Sequence, residues 1–186
     1  MSSRTPARNA GMQSYCFRGF KDNAVVAKKV KDLDCDSIEL CAVHHNFDSP
    51  ETFGPVVETY KKAGVAIKSM GVQTFTGDVA KERKWFECAK LAGAKMMTAH
   101  FTVSTFTTAV PAVMKLSDEY GVRLAIHCHG GYMFGGSFDV IDHLLKISGP
   151  QIGVCLDTAW CMQTGRGNPV EWAQKWGKRV YGMHYK

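Results

Sequence analysis

The stretch Arg-Leu-Ala-Ile-His-Cys-His-Gly-Gly, residues 123–131, ends an apolar run on two histidines one residue apart. Side chains at i and i+2 of a strand share a face, so His127 and His129 can serve one site. Other apolar runs end in the same way. Residues 37–43 carry Glu39 and lead into His44 and His45, residues 95–101 hold His100, residues 152–157 finish on Asp157, and residues 179–185 hold His184. Of the seven histidines only His143 lies away from such an end. Any one of these imidazoles reads as a hydrogen-bonded rim or core residue. Taken together, imidazoles and a carboxylate from neighbouring strands are a ligand set for a divalent ion such as Mn²⁺, Zn²⁺ or Co²⁺, or for a polar substrate.

These residues need a scaffold that brings strand ends together. The pattern predicts seven strands, over residues 12–17, 37–43, 65–72, 95–101, 122–129, 152–157 and 179–185, alternating with six helices. Asp22 or Asn23, Ser49, Asp78, Ser137 and Asn168 stand where helix caps belong, and Gly64, Gly93, Gly121 and Gly177 where helices stop. Gly54–Pro55 suggests that the second helix is irregular or starts late, and Pro111 that the main body of the fourth starts there. The strands are mostly continuous apolar runs, as strands buried on both faces in a parallel sheet should be. Repeated βα units build either a doubly wound open sheet or a (β/α)8 barrel. No GxGxxG opens a helix after a strand, which weakens a dinucleotide-binding reading. In both architectures functional groups gather at the C-terminal ends of the strands, where the histidines lie. Gly130 and Gly131 are expected to turn the chain sharply over that mouth.

Bulk properties narrow the classes. The 186 residues, 45% hydrophobic and 22% charged, suit a single soluble domain over 1–186. No apolar run approaches about 18 residues, so no membrane span is expected, and the polar N-terminus does not read as a secretory signal. Seven scattered cysteines without a CxxC pair imply a reducing, cytoplasmic setting and neither a disulfide framework nor a Cys-rich zinc site. The net charge of +6 comes from lysine clusters within helices, which read as solvated faces rather than a nucleic-acid surface. Trp160, three residues after Asp157, can stack on a sugar ring from the rim, whereas Trp85 lies on a helix face that packs. Arg18 is placed at the rim. Lys186 can bind an anionic or hydroxyl group, although a terminal lysine is ordinarily solvated.

The segments QSYCFR, SIEL, GVQTFTGD, RLAIHCHGG, GVCLDTAW and YGMHYK, in this order, resemble the sugar phosphate isomerase/epimerase family of the xylose isomerase-like TIM barrel superfamily. The resemblance runs from about Met12 to the last residue. It implies a (β/α)8-type barrel and one divalent metal (Mn, Zn, Co or Mg) held by Glu, Asp, His and Glu at the ends of strands five to eight. It further implies isomerisation, epimerisation or a related lyase step on a sugar, keto-sugar or sugar phosphate by proton transfer through a metal-stabilised enediolate. Position by position, Asp157 and His184 match the family's aspartate and histidine ligands. His127 stands where the family has its fifth-strand glutamate, and His129 matches a frequent His or Asn. Trp160 stands where many members have a substrate-contacting His. The resulting expectation assigns the metal to His127, Asp157 and His184, catalysis to His127 and His129, and substrate contacts to Glu39, His45, His100, Trp160 and Lys186.

The eighth strand and its glutamate have no counterpart, so the chain reads as an incomplete barrel, a fragment of a longer protein or one completed by another chain such as a second copy. A sugar-binding barrel without chemistry and an abasic-site nuclease of the endonuclease IV branch are the alternatives. For the nuclease, His45, His100 and His184 are a small set beside the three-metal cluster it needs.

Overall fold

The computed structural model describes residues 10–130, 133–163 and 167–186; the residues before Ala10, and Gly131, lie outside the described residues. The elements are β1 (Met12–Gln13), α1 (Asn23–Asp32), β2 (Ser37–Leu40), α2 (Gly54–Lys62), β3 (Ala66–Phe75), α3 (Val79–Ala92), β4 (Met96–Phe101), α4 (Phe106–Tyr120), β5 (Arg123–His127), α5 (Phe138–Lys146), β6 (Ile152–Asp157), α6 (Thr158–Gln163), α7 (Pro169–Trp176) and β7 (Val180–His184). The seven strands form one parallel sheet in the order β1-β2-β3-β4-β5-β6-β7. A doubly wound sheet reverses its strand order at a switch point. This sheet never does, so it curls in one direction, and the side chain of Glu39 on β2 comes within 3.3 Å of His184 on β7. The architecture is therefore an incomplete TIM-type barrel, open between β1 and β7 among the described residues.

Several boundaries move for physical reasons. The first strand is two residues long, and Ser14–Phe17 form a 3₁₀ turn instead of continuing it. Ser14 is buried and its hydroxyl accepts the backbone N–H of Cys41 at 2.8 Å, a donor that a longer strand pair would have used. The same bond ends β2 at Leu40 rather than at Val43. The fifth strand stops at His127, so His129 lies beyond it. Pro111 sits inside α4 rather than at its start, and α6 is a helix beyond the six the pattern predicts.

Caps at Asp22, Asp78, Ser137 and Asn168 are made as expected, accepting from Ala24, Lys81, Val140 and Val170 N–H. Ser49 makes no capping bond, and α2 starts at Gly54 after a short turn. The Asp78 cap bonds Lys81 N–H at 3.1 Å from the surface. Asp78→Ala is expected to cost about 1 kcal/mol in urea denaturation.

Helices cover the outside of the sheet, and Phe47, Phe53 and Phe86 are buried in one core with Phe75 of β3. Trp85 packs edge-on against Phe75 and donates its indole N–H to Asp48 at 2.7 Å, which confirms a packing role. Lysines of the helical clusters make exposed ion pairs, Lys28 with Asp32 and Lys61 with Glu58. Arg18 packs its guanidinium over Tyr15, its own local neighbour. No described helix is long and apolar enough to cross a membrane.

One glycine matters for the interior. Gly71 on β3 has φ of 145°, and a Cβ there would meet Thr98 Oγ1 at 2.1 Å and Thr98 O at 2.6 Å. Its absence lets β3 close onto β4 and sets Ser69 and Thr98 on either side of Glu39.

Candidate functional site

The register places the polar strand ends side by side. His127 on β5 pairs with Cys155 on β6, and Asp157 on β6 pairs with His184 on β7. Three ligand atoms converge as a result. His127 Nε2 lies 3.5 Å from Asp157 Oδ2 and 3.1 Å from His184 Nδ1, and His184 Nδ1 lies 3.7 Å from Asp157 Oδ2. Donor atoms bound at about 2.1 Å to one ion stand roughly 3.0–3.4 Å apart, depending on coordination geometry. The observed triangle is close to that size, and among the described residues it is the one group of three metal-type ligands that qualifies.

The electrostatics suit a cation. Glu39 and Asp157 are both buried, the latter completely. Lys186 Nζ lies 2.6 Å from Asp157 Oδ2, while Asp157 Oδ1 accepts the N–H of Trp160 at 3.0 Å. Two buried carboxylates against one lysine leave negative charge that must be matched. In this structure the His184 ring does so, held between Asp157 and Glu39. Burial alone would lower its pKa, but the contacts with Asp157, Cys155 and Glu39 push it up to about 12. Burial would raise Asp157, yet His127, His184, Lys186 and the Trp160 N–H together hold it well below the usual carboxylate range. His127 moves down, because burial outweighs its bond to Asp157.

A second layer of rings surrounds this triangle. His100, His127 and His129 touch edge to face, with ring centres 5.4–5.9 Å apart. His129 stacks on Trp160 at 4.1 Å, and Lys186 Nζ lies 5.8 Å from the centre of the same indole. Gly130 permits this stack, since a Cβ there would lie 2.9 Å from Trp160 Cε3. Burial, then the two neighbouring histidines, lower the pKa of His100 to about 4, so its ring is neutral.

Of the residues singled out from sequence, Glu39, His100, His127, His129, Asp157, Trp160, His184 and Lys186 thus form one connected group. His45 does not join it: its ring stacks on Phe53 at 4.5 Å and meets Phe47 edge-on. His44 contacts the Phe20 carbonyl at 2.9 Å through Nε2, which ties the loop before α1 to the end of β2. Sequence reasoning missed Gln13, Ser69 and Thr98, whose side chains surround Glu39. The i, i+2 spacing of Thr98 and His100 could have flagged Thr98 as inward-facing.

A one-way curled sheet of parallel βα units with imidazoles and carboxylates at its strand ends defines a TIM-barrel-type α/β protein with a polar mouth. The sequence profile of the xylose isomerase-like TIM barrel family matches residues 27–186, and the chain belongs to that family. Solved structures agree on the fold. A sugar phosphate isomerase/epimerase from Parabacteroides distasonis superposes with a TM-score of 0.78 at 15% identity, covering 98% of this chain and 76% of that one. A D-allulose 3-epimerase from Methylomonas sp. gives 0.73 at 14% identity, covering 94% and 71%. A D-psicose 3-epimerase crystallised in the presence of D-fructose gives 0.68 at 13% identity, covering 94% and 72%. Among curated proteins no sequence matches significantly.

Proposed function

We propose that this chain carries the site of a divalent-metal-dependent isomerase or epimerase acting on a sugar, keto-sugar or sugar phosphate. The observation that carries this reading is the triangle of His127 Nε2, Asp157 Oδ2 and His184 Nδ1, with sides of 3.1–3.7 Å. These three residues would hold the ion. A bound divalent cation would supply Lewis acidity to substrate oxygens at the mouth. The similarity to structures of sugar epimerases supports the substrate class.

The chain's own residues divide the remaining work. With Nε2 on the ion, His127 would not also serve as base. Proton transfer falls to His129, whose Nδ1 lies 3.1 Å from the Gly130 carbonyl and donates to it. In the neutral ring that bond leaves the lone pair on Nε2, ready to take a proton. Trp160 backs the His129 ring and offers the edge of an apolar platform. Lys186 stands beside Asp157 and is placed to hold a substrate oxygen or phosphate. His100, kept neutral, is a hydrogen-bonding partner rather than a charge.

The test is metal analysis followed by turnover. Purified protein loaded with Mn²⁺ or Co²⁺ is expected to retain one ion per chain after desalting and to interconvert ketohexoses or their phosphates. Protein that keeps its fold yet retains no ion would overturn the assignment. A second reading, a sugar-binding barrel without chemistry, draws on one feature: Glu39 and Asp157 are both held by protein neighbours, which leaves no free carboxylate pair at the mouth among the described residues. It is distinguished by sugar binding in the metal-loaded protein without any turnover.

A further inference from the structure

The role of Glu39 rests on the metal reading of the site. His184 presents Nδ1 to His127 and Asp157, and its other nitrogen, Nε2, lies 3.3 Å from Glu39 Oε1. Glu39 is 9% exposed and comes from β2, on the far side of the curled sheet from β7. Its carboxylate is surrounded by side-chain donors. Oε2 accepts the Ser69 hydroxyl at 2.8 Å, while Oε1 accepts the Gln13 amide at 3.1 Å and has the Thr98 hydroxyl at 3.3 Å. With three donors around Oε1 and the Ser69 hydroxyl on Oε2, the group is committed to protein neighbours. It has what a ring needs to be held still.

We propose that Glu39 is a positioning residue, whose Oε1 accepts the Nε2–H of His184 and thereby aims Nδ1 at the metal position beside His127 and Asp157. An imidazole can turn about its Cβ–Cγ bond and can carry its proton on either nitrogen. A fixed acceptor on the far nitrogen removes both freedoms and makes the near nitrogen a better donor. Ser69, Gln13 and Thr98 fix that acceptor in turn, and Gly71 lets the strands bearing Ser69 and Thr98 close around it. This assigns Glu39 a role distinct from substrate contact: it acts on the ion through His184.

The test compares wild type, Glu39→Gln and Glu39→Leu in titrations with Co²⁺, following its visible absorption, and with Mn²⁺ by calorimetry. Metal-free thermal melts run in parallel. Wild type is expected to bind one ion. Glu39→Gln keeps an oxygen that accepts the Nε2–H but loses the charge, and should weaken binding by about 10-fold; Glu39→Leu should weaken it by about 100-fold and shift the Co²⁺ band. A purely structural residue would lower the melting temperature and leave affinity and spectrum alone. Affinity within twofold of wild type in both variants overturns the role of Glu39 while leaving the metal site standing. Absence of binding by folded wild type overturns the metal site and this role together. Should Glu39→Leu fail to fold, the near-isosteric Glu39→Gln decides alone by the same twofold limit.

Discussion

Asp157→Ala is expected to abolish divalent metal binding and every activity that depends on it. Asp157 is fully buried at the end of β6 and is the single carboxylate in the ligand triangle. It also lies beside His127, His184 and Lys186, so its removal leaves Glu39 as the one carboxylate facing the buried His184 ring and breaks the contacts with His127 and Lys186. Breaking such an arrangement costs on the order of 3–5 kcal/mol. Asp157→Asn separates the two effects. The amide keeps an oxygen for the Trp160 N–H and so preserves the local turn into α6, but it replaces the anionic ligand. Affinity for Co²⁺ should fall by at least about 100-fold, exceeding the typical effect of an outer residue, with a smaller loss of melting temperature than in the alanine variant. An asparagine variant that binds Co²⁺ like wild type would remove Asp157 from the ligand set.

Acidification should destabilise the metal-free protein before the buried carboxylates of the site titrate. His100 is held at about 4 against an ordinary value of 6.5, first by burial and then by His127 and His129. Between those two values the unfolded chain binds a proton that the folded chain refuses, so stability rises with pH across this window. The contribution is complete above 6.5 and lost as pH falls through about 4, and its full size is roughly 3 kcal/mol. His127, lowered in the same sense, adds to it. Glu39 and Asp157 are also held down, so their contributions fade only at still lower pH. His184 is shifted the other way; its contribution is complete below 6.5 and is lost only as pH rises toward about 12, so it does not mask the effect. Urea midpoints in chelator at pH of about 7 and about 4.5 provide the measurement. His100→Gln should flatten the difference, and an unchanged pH slope in that variant would show that His100 does not carry it.

The fold was legible because local signals and tertiary packing agree. Apolar runs became strands within a few residues, and Asp22, Asp78, Ser137 and Asn168 cap the helices they precede. Where reading failed, a distant partner decided. Ser14 forms a turn because its hydroxyl meets Cys41, 27 positions away. Ser49 precedes a plausible helix but makes no cap, since Gly54–Pro55 delays the start. The same distinction holds at the site. His127, Asp157 and His184 end three successive strands, and spacing alone makes them neighbours. Glu39 could be flagged as a polar residue in an apolar run, but its contact with His184 depends on how far the sheet curls. His45 carried the same strand-end signal as His100, yet its ring turned to Phe53; nothing local in the sequence distinguishes the two.

The strand order also bears on how the molecule assembles. Because every strand pairs with its neighbour in sequence, each βα unit can dock on the one before it as the chain emerges, without waiting for distant partners. The Glu39–His184 contact is of another kind, since it joins an early strand to the last and forms only when β7 has settled. The polar cluster is therefore complete only when β7 is in place. A ligand that requires the whole cluster binds only the fully curled chain, and at a free concentration one hundred times its Kd it stabilises that state by about 2.7 kcal/mol. Occupancy of the mouth thus records, in a single number, whether the seven units have assembled in full.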